Sequence, residues 1–339
     1  MPVVRIGTRA STLALTQTGH VADDLARLGG FDVEIVHVRT EGDRLKGSLA
    51  TIGGTGVFVT ALRDALLDGR CDVAVHSLKD LPTAPAPGLT VAAIPLREDP
   101  RDALCARDGL TLRELPAGAR VGTGSPRRMA QLLAARPDLE VVDIRGNVDT
   151  RLGRVAGSSH GPGDLDAVVL ARAGLARLGR LDAVTEALDP EVMLPAPGQG
   201  ALAVEVRTAD LADPTAPLAA ALAALDHLPT RLAVVAERAL LARLEAGCAA
   251  PVGALASVDT LGAEGASVTV EAVVARTDGT RVLRHGVSAT TNVGWDGEQP
   301  RVVPQPFVDE DTARDAGESL ADLLLEQGAA ELAPLGPRA

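Results

Sequence analysis

Three stretches of this 339-residue chain put reactive or strongly charged side chains where secondary structure changes. In VAVHSLKDLP (73–82) an apolar run ends and delivers Ser77, Lys79 and Asp80, and Pro82 forces an extended exit. An aspartate there is either a turn former or, facing cations and a substrate, a group that stabilises positive charge and passes protons. In GTGSPRR (122–128) Ser125 is a candidate N-cap and Pro126 a first helical residue, so Arg127 and Arg128 fall in the first turn. Cations there oppose the helix dipole unless an anion binds at that end, where free N–H groups already point. Thr123 and Ser125 add hydroxyl donors. Arg9 ahead of Ser11, and Arg145 ahead of Asn147 with Arg151 one turn on, repeat the arrangement. In LEAGCAAPVGA (244–254) Gly247 and Pro251 bracket Cys248 in a tight turn, where a thiol is either incidental or chemical. His76 is an isolated histidine that reads as packed or hydrogen-bonded, and no His/Cys/Asp cluster has metal-ligand spacing.

The elements that must position these residues alternate between strand and helix. Strands at 3–9, 31–38, 71–77 and 89–95 surround helices at 11–29 and 57–69. After LREDPRDAL (96–104) the pattern restarts, with strands at 119–124, 139–146 and 165–171 and helices at 125–137, 147–157 and 173–179. Repeated alternation predicts two similar α/β domains with parallel sheets, whose strand ends gather the arginines at a ligand-binding edge. LPAPGQG (194–200) reads as a hinge, and ALAVEVR (201–207) as a strand returning to the first sheet. Helices at 216–227 and 229–247, strands near 252–258, 267–276 and 281–288, and a helix near 311–332 form a smaller α+β domain. The boundaries are therefore 1–98 with 200–218, then 99–199, then 219–339. Residues 41–56 read as a Gly-rich loop and lid, and 292–307 as an irregular insertion.

Composition narrows the function. Net charge is −12, which argues against nucleic acid and a basic membrane face as partners. All but two of the 33 basic residues are arginine, the exceptions being Lys46 and Lys79. Arginine forks match carboxylates and phosphates, so a cluster of them in an acidic protein points to an anionic small molecule. The opening MPVVRIGTRA turns charged within five residues and predicts no signal peptide, and no apolar run is long enough to span a bilayer. Cys71, Cys105 and Cys248 are odd in number and widely spaced, as in a cytoplasmic protein with free thiols.

HSLKDLP, with EDPRDAL, RGNVDTRL, LPAPGQGAL and AERALLARLEAGCAAPVG, resembles the porphobilinogen deaminases, also called hydroxymethylbilane synthases. The likeness runs in order from RIGTR to about residue 255 and more weakly to the end. It implies two domains like type II periplasmic binding proteins, joined by hinges around a cleft, and a smaller C-terminal α+β domain. It implies a transferase of tetrapyrrole (heme) biosynthesis that condenses four porphobilinogen molecules head to tail into hydroxymethylbilane, releasing ammonia each time. It also implies a dipyrromethane cofactor, a primer held by a thioether whose cysteine corresponds to Cys248, and no metal. Asp80 corresponds to the essential aspartate, set to stabilise the azafulvene cation left when porphobilinogen loses ammonia. Arg127, Arg128, Arg145 and Arg151, with Ser77, Lys79, Thr123 and Ser125, correspond to positions around the cofactor. Arg9, Ser11, Gln17, Arg177 and Gln199 correspond to positions around substrate. A monomer that passes its product to a downstream tetrapyrrole enzyme is the implied working form.

The sequence departs from the family pattern at three places. GGTGVF (53–58) has Thr55 where many members have lysine, GTGSPRR has Gly124 where many have serine, and AGC replaces a frequent GGC. Two other readings of the residues are an anion-binding protein on the same scaffold and a thiol-nucleophile enzyme using Cys248. Export is unsupported for the first, and no histidine base is identifiable for the second.

Overall fold

A computed structural model describes residues 3–38, 56–247, 250–260, 266–290 and 309–335. Along the chain, β1 (Val3–Thr8), α1 (Thr12–Gly29), β2 (Asp32–His37), α2 (Gly56–Leu67), β3 (Val73–Ser77) and β4 (Leu89–Ala93) come first. Next are β5 (Asp102–Ala106), β6 (Arg120–Gly122), α3 (Pro126–Ala135), β7 (Glu140–Val142), α4 (Val148–Leu152), β8 (Ala167–Ala171), α5 (Arg172–Arg177) and β9 (Glu186–Ala187). The last group is β10 (Leu202–Arg207), α6 (Pro217–Leu225), α7 (Leu228–Arg243), β11 (Val252–Thr260), β12 (Ala266–Ala275), β13 (Val282–Thr290) and α8 (Glu310–Glu326).

The chain divides into two compact units. The first comprises Met1–Pro100, Ala173–Arg180 and Gln199–Leu228. Its five-stranded sheet has the order β2-β1-β3-β10-β4. Strands β2, β1 and β3 are parallel, whereas β10 runs antiparallel to both of its neighbours. The core on one face joins Ile6, Leu25, Phe31, Val73, Val204 and Leu222, and a second cluster packs Leu62 and Leu66 of α2 on Cys71 and Ala74. Three of this chain's few aromatic side chains are phenylalanines, so aliphatic side chains and alanine fill these cores.

The second unit comprises Arg101–Arg172, Leu181–Gly198 and Pro229–Ala339. One of its sheets has the order β7-β6-β8-β5-β9. Strands β7, β6 and β8 are parallel and β5 is antiparallel to β8 and β9. This is the first sheet's plan repeated, with one antiparallel strand fourth in order. In the first sheet that strand, β10, arrives late in the chain; in the second it is β5, which precedes the strands it joins. Two like α/β sheets thus agree with the type II periplasmic-binding-protein-like architecture, but both are mixed rather than purely parallel. The three-stranded sheet β11-β12-β13 is antiparallel throughout and packs with α7 and α8 around Leu240, Val252, Val270, Leu320 and Leu324.

An acidic side chain lies inside the first sheet. Glu205 of β10 is 2% exposed, accepts hydrogen bonds from Arg63 Nε and Nη2 at 3.1 and 2.9 Å, and lies 3.0 Å from His76 Nε2. Burial pushes its pKa up, but His76 and Arg63 outweigh burial and hold it below the ordinary carboxylate value. A depressed carboxylate contributes stability that is present above its unfolded pKa and is lost as pH falls through the folded one. Glu205→Gln should therefore lower the melting midpoint at pH 7, at a cost on the order of 3 kcal/mol for a broken buried pair. The difference from wild type should narrow as pH drops through the carboxylate range, which melts by circular dichroism between pH 7 and 3 will check.

Candidate functional site

In the first unit, parallel pairing of β1 with β3 brings their C-terminal ends to one sheet edge. Ser11 caps α1 by accepting the Ala14 N–H at 3.3 Å, so the helix starts at Thr12, three residues after Arg9. Nearly two turns on, Gln17 is 6% exposed, and its Oε1 accepts the Ser77 hydroxyl at 3.1 Å. Beyond Ser77 the chain makes a single 3₁₀ turn, Leu78–Asp80. Leu78 anchors this turn: its side chain is 1% exposed and its N–H donates to the Ala201 carbonyl. Lys79 Nζ donates to Gln199 Oε1 at 3.3 Å, and Gln199 Nε2 donates to the Pro100 carbonyl at 2.8 Å. Asp80 is half-buried, with no ion pair among the described residues. Its carboxylate is thus held on a fixed turn and paired with no cation among the described residues.

Arg177, at the end of α5, donates from Nη2 to the Gly200 carbonyl at 2.7 Å, one residue from Gln199. It lines a cavity of about 380 Å³ with His20, Asp24, Arg97 and Glu98. Burial draws its guanidinium below the ordinary arginine value, and Glu98 opposes the shift. Arg177 is therefore fastened to the chain segment that carries Gln199, with donors left over for an anion.

In the second unit, Ser125 caps α3, its Oγ accepting the Arg128 N–H at 3.4 Å, and Pro126 is the first helical residue. Thr123 is fully buried, and its Oγ1 accepts the Ser125 N–H at 3.2 Å. A Cβ at Gly124 would stand 2.6 Å from the Ile144 carbonyl oxygen, so the backbone passes too close here for a side chain without a shift.

Arg127 and Arg128 do not lie open on the helix end. They are 4% and 6% exposed and share one carboxylate, Asp102, which is fully buried at the head of β5. Arg127 Nη1 donates to Asp102 Oδ2 at 2.6 Å and to the Leu194 carbonyl at 2.6 Å. Arg128 donates from Nε to Asp102 Oδ1 at 2.9 Å, with Nη2 2.7 Å from the same oxygen in the ion pair, and from Nη1 to the Val169 carbonyl at 3.0 Å. The first counter-anion of the pair is therefore the protein's own. Sequence reasoning passed over Asp102, although an acid opening the apolar run DALCA in an arginine-rich chain has to be paired if that run is buried.

Arg145 is exposed and lies 3.4 Å from Asp143. Arg151 donates from Nε to the Gly146 carbonyl at 2.8 Å. Burial, then Arg128, then Arg145 hold the Arg151 guanidinium below the ordinary value, against Asp143. Four arginines thus gather near two carboxylates, and this surplus of partly desolvated positive charge fits a ligand bearing several carboxylates.

Cys248 and the lid reading at 41–55 lie outside the described residues, as does the 292–307 insertion. Cys71 and Cys105 are fully or almost fully buried. Burial raises both thiols, Cys105 to about 12, so neither is a thiolate at neutral pH. Among the described residues no group of three or more His, Cys, Asp or Glu could hold a metal ion. No single described helix is long and apolar enough to cross a membrane.

Residues 4–213 match the family described as porphobilinogen deaminase, dipyromethane cofactor binding domain, and residues 231–326 match porphobilinogen deaminase, C-terminal domain. The chain is 56% identical to the porphobilinogen deaminase of Micrococcus luteus, covering 99% of this chain and 95% of the relative. It is 55% identical to that of Cutibacterium acnes (99% and 98% covered) and 53% identical to that of Mycobacterium tuberculosis (97% and 98%). Among solved structures, a periplasmic substrate-binding protein of an ABC transporter from Coxiella burnetii aligns with 66% of this chain and 91% of its own, at 16% identity and a TM-score of 0.40.

Proposed function

The chain belongs to the porphobilinogen deaminase family, and from that premise we propose how its residues divide the work. It is a transferase of heme biosynthesis that condenses four porphobilinogen molecules head to tail into hydroxymethylbilane, with release of ammonia, on a dipyrromethane primer. The primer supplies a pyrrole carbon as the growing nucleophilic end.

Arg127, Arg128, Arg145 and Arg151, with Thr123 and Ser125, hold the primer's acetate and propionate groups. The observation that carries this reading is the excess of cations over Asp102 and Asp143 in the second unit. Cys248 forms the thioether. Ser77 and Lys79 orient the primer from the end of β3. Arg9, Ser11, Gln17, Arg177 and Gln199 bind the carboxylates and amine of incoming porphobilinogen. Asp80 stabilises the cation that forms when the aminomethyl group leaves as ammonia, and later accepts the proton lost when aromaticity returns. The enzyme works as a monomer in the cytoplasm and hands its product to the next tetrapyrrole enzyme.

The arginines should separate by task in intact-mass spectra. Arg127→Leu, Arg128→Leu and Arg151→Leu should purify with less than about a tenth of the wild-type primer, because each removes a charge-assisted bond of roughly 1.5–3 kcal/mol. Arg9→Leu and Arg177→Leu should purify with primer and lose turnover or stall during elongation. Full primer occupancy in the first three would remove the assignment.

A further inference from the structure

We propose that Asp102 is a positioning residue of the primer site, turning Arg127 and Arg128 from two repelling buried cations into one aimed pair. This rests on the reading of those arginines as primer ligands. The geometry carries it further than neutralisation would require. One oxygen of Asp102 accepts from Nε of Arg128 and lies 2.7 Å from its Nη2, and the other accepts from Arg127. The Leu194 carbonyl accepts from the same Nη1 of Arg127, and the Val169 carbonyl holds Arg128 from its other terminal nitrogen, Nη1. Nε and one N–H of Nη1 of Arg128 are spent on Asp102 and Val169 and Nη2 is held against Asp102 as an ion pair, so the outer N–H groups of Nη1 and Nη2 remain for a ligand carboxylate.

Position in the chain supports the same role. Asp102 is the first residue of β5, and the backbone there is tied on both sides: Asp102 is paired with Ala171 of β8, and its carbonyl accepts the Leu188 N–H. The carboxylate is therefore set by the sheet, not by the helix it serves. Asn is no substitute. Its amide nitrogen would present N–H groups to one of the two arginines, donor against donor, and that guanidinium would have to turn away. The added net positive charge is of no use to an anion if the fork is misaligned, since bidentate recognition depends on orientation.

The test uses the full chain and reads primer occupancy by intact mass alongside the melting midpoint. Asp102→Asn should melt lower and carry at least tenfold less primer than wild type. Asp102→Glu keeps the charge but displaces it by one methylene, and should load to an intermediate level. Glu205→Gln is the control, because it also removes a buried acid from a part-buried arginine, in the other unit, and should melt lower with full primer. Full primer in Asp102→Asn or in Asp102→Glu would overturn the proposal, as would loss of primer in Glu205→Gln equal to that in Asp102→Asn. If Asp102→Asn fails to fold, the Glu variant decides alone, intermediate loading supporting positioning and full loading refuting it. Arg127→Leu and Arg128→Leu that both kept their primer would instead bring down the reading on which this one stands.

Discussion

Asp80→Ala and Asp80→Asn should fold, carry the primer and lose nearly all turnover. Truncation removes no described ion pair, and the turn that carries Asp80 is anchored by Leu78, so the melting midpoint should stay at the wild-type value. The chemistry is another matter. Ammonia leaves from a carbon conjugated to the pyrrole nitrogen, so positive charge spreads onto that N–H, and it does so again when the new carbon–carbon bond forms. A fixed carboxylate beside developing charge in a water-poor site contributes about 10²–10³ in rate. Proton acceptance adds another factor of about 10² or more. Asparagine keeps the shape and loses both effects. Asp80→Glu keeps the charge and its basicity on a longer arm, so about a hundredth to a tenth of the activity should survive. Rapid-quench single-turnover assays with porphobilinogen, scored by the mass of the loaded enzyme, separate this from any defect in product release. A near-normal single-turnover rate in Asp80→Ala would remove Asp80 from the chemistry.

Much of this arrangement is legible in the sequence because it is local. Ser11, Ser125 and Asn147 announce helix starts by residue type, and each caps the helix it precedes. The repeated strand–helix pattern marks two like sheets. What the pattern hides is long-range. The antiparallel strands β5 and β10 look no different from parallel ones, because direction is decided by where the chain returns. The helix expected over 147–157 ends at Leu152, where Gly153 approaches the His160 carbonyl too closely for any side chain, and Gly157 adopts a left-handed φ of 85°. The same limit applies to the site. Arg127 and Arg128 are placed correctly by their spacing from a cap, yet their burial and their shared acid depend on a strand 25 residues away. Glu205, His76 and Arg63 meet only because β10 inserts beside β3. His76 is hydrogen-bonded in the core, in keeping with the reading of an isolated histidine as packed.

Cys248→Ala should purify without pyrrole mass and melt several degrees below wild type. The other thiols offer no alternative anchor. Cys71 lies in a core cluster with Leu62 and Leu66, and Cys105 is buried in β5 with its thiol pushed up to about 12, so neither presents a thiolate to an electrophilic pyrrole. Losing the primer matters for the fold because of what it neutralises. In the second unit Arg151 is already strained by its own burial and by Arg128 and Arg145. Without carboxylates beside them, like charges in a partly desolvated site repel. The tethered primer meets its arginines only in the folded state, and an effective concentration about a hundred times the site's dissociation constant for a free analogue stabilises by roughly 2.7 kcal/mol. In a protein of this size each kcal/mol moves the midpoint by about 2–4 °C, so the loss should be readable in a simple melt. The cause can be separated from any local effect of the substitution. Inorganic phosphate offers the vacant arginines a small anion, and should raise the midpoint of Cys248→Ala more than that of the primed wild type. Cys71→Ala and Cys105→Ala should keep their pyrrole mass and activity. A Cys248→Ala chain that retained pyrrole mass and melted like wild type would overturn both the anchor and the electrostatic account of why the primer stabilises the protein.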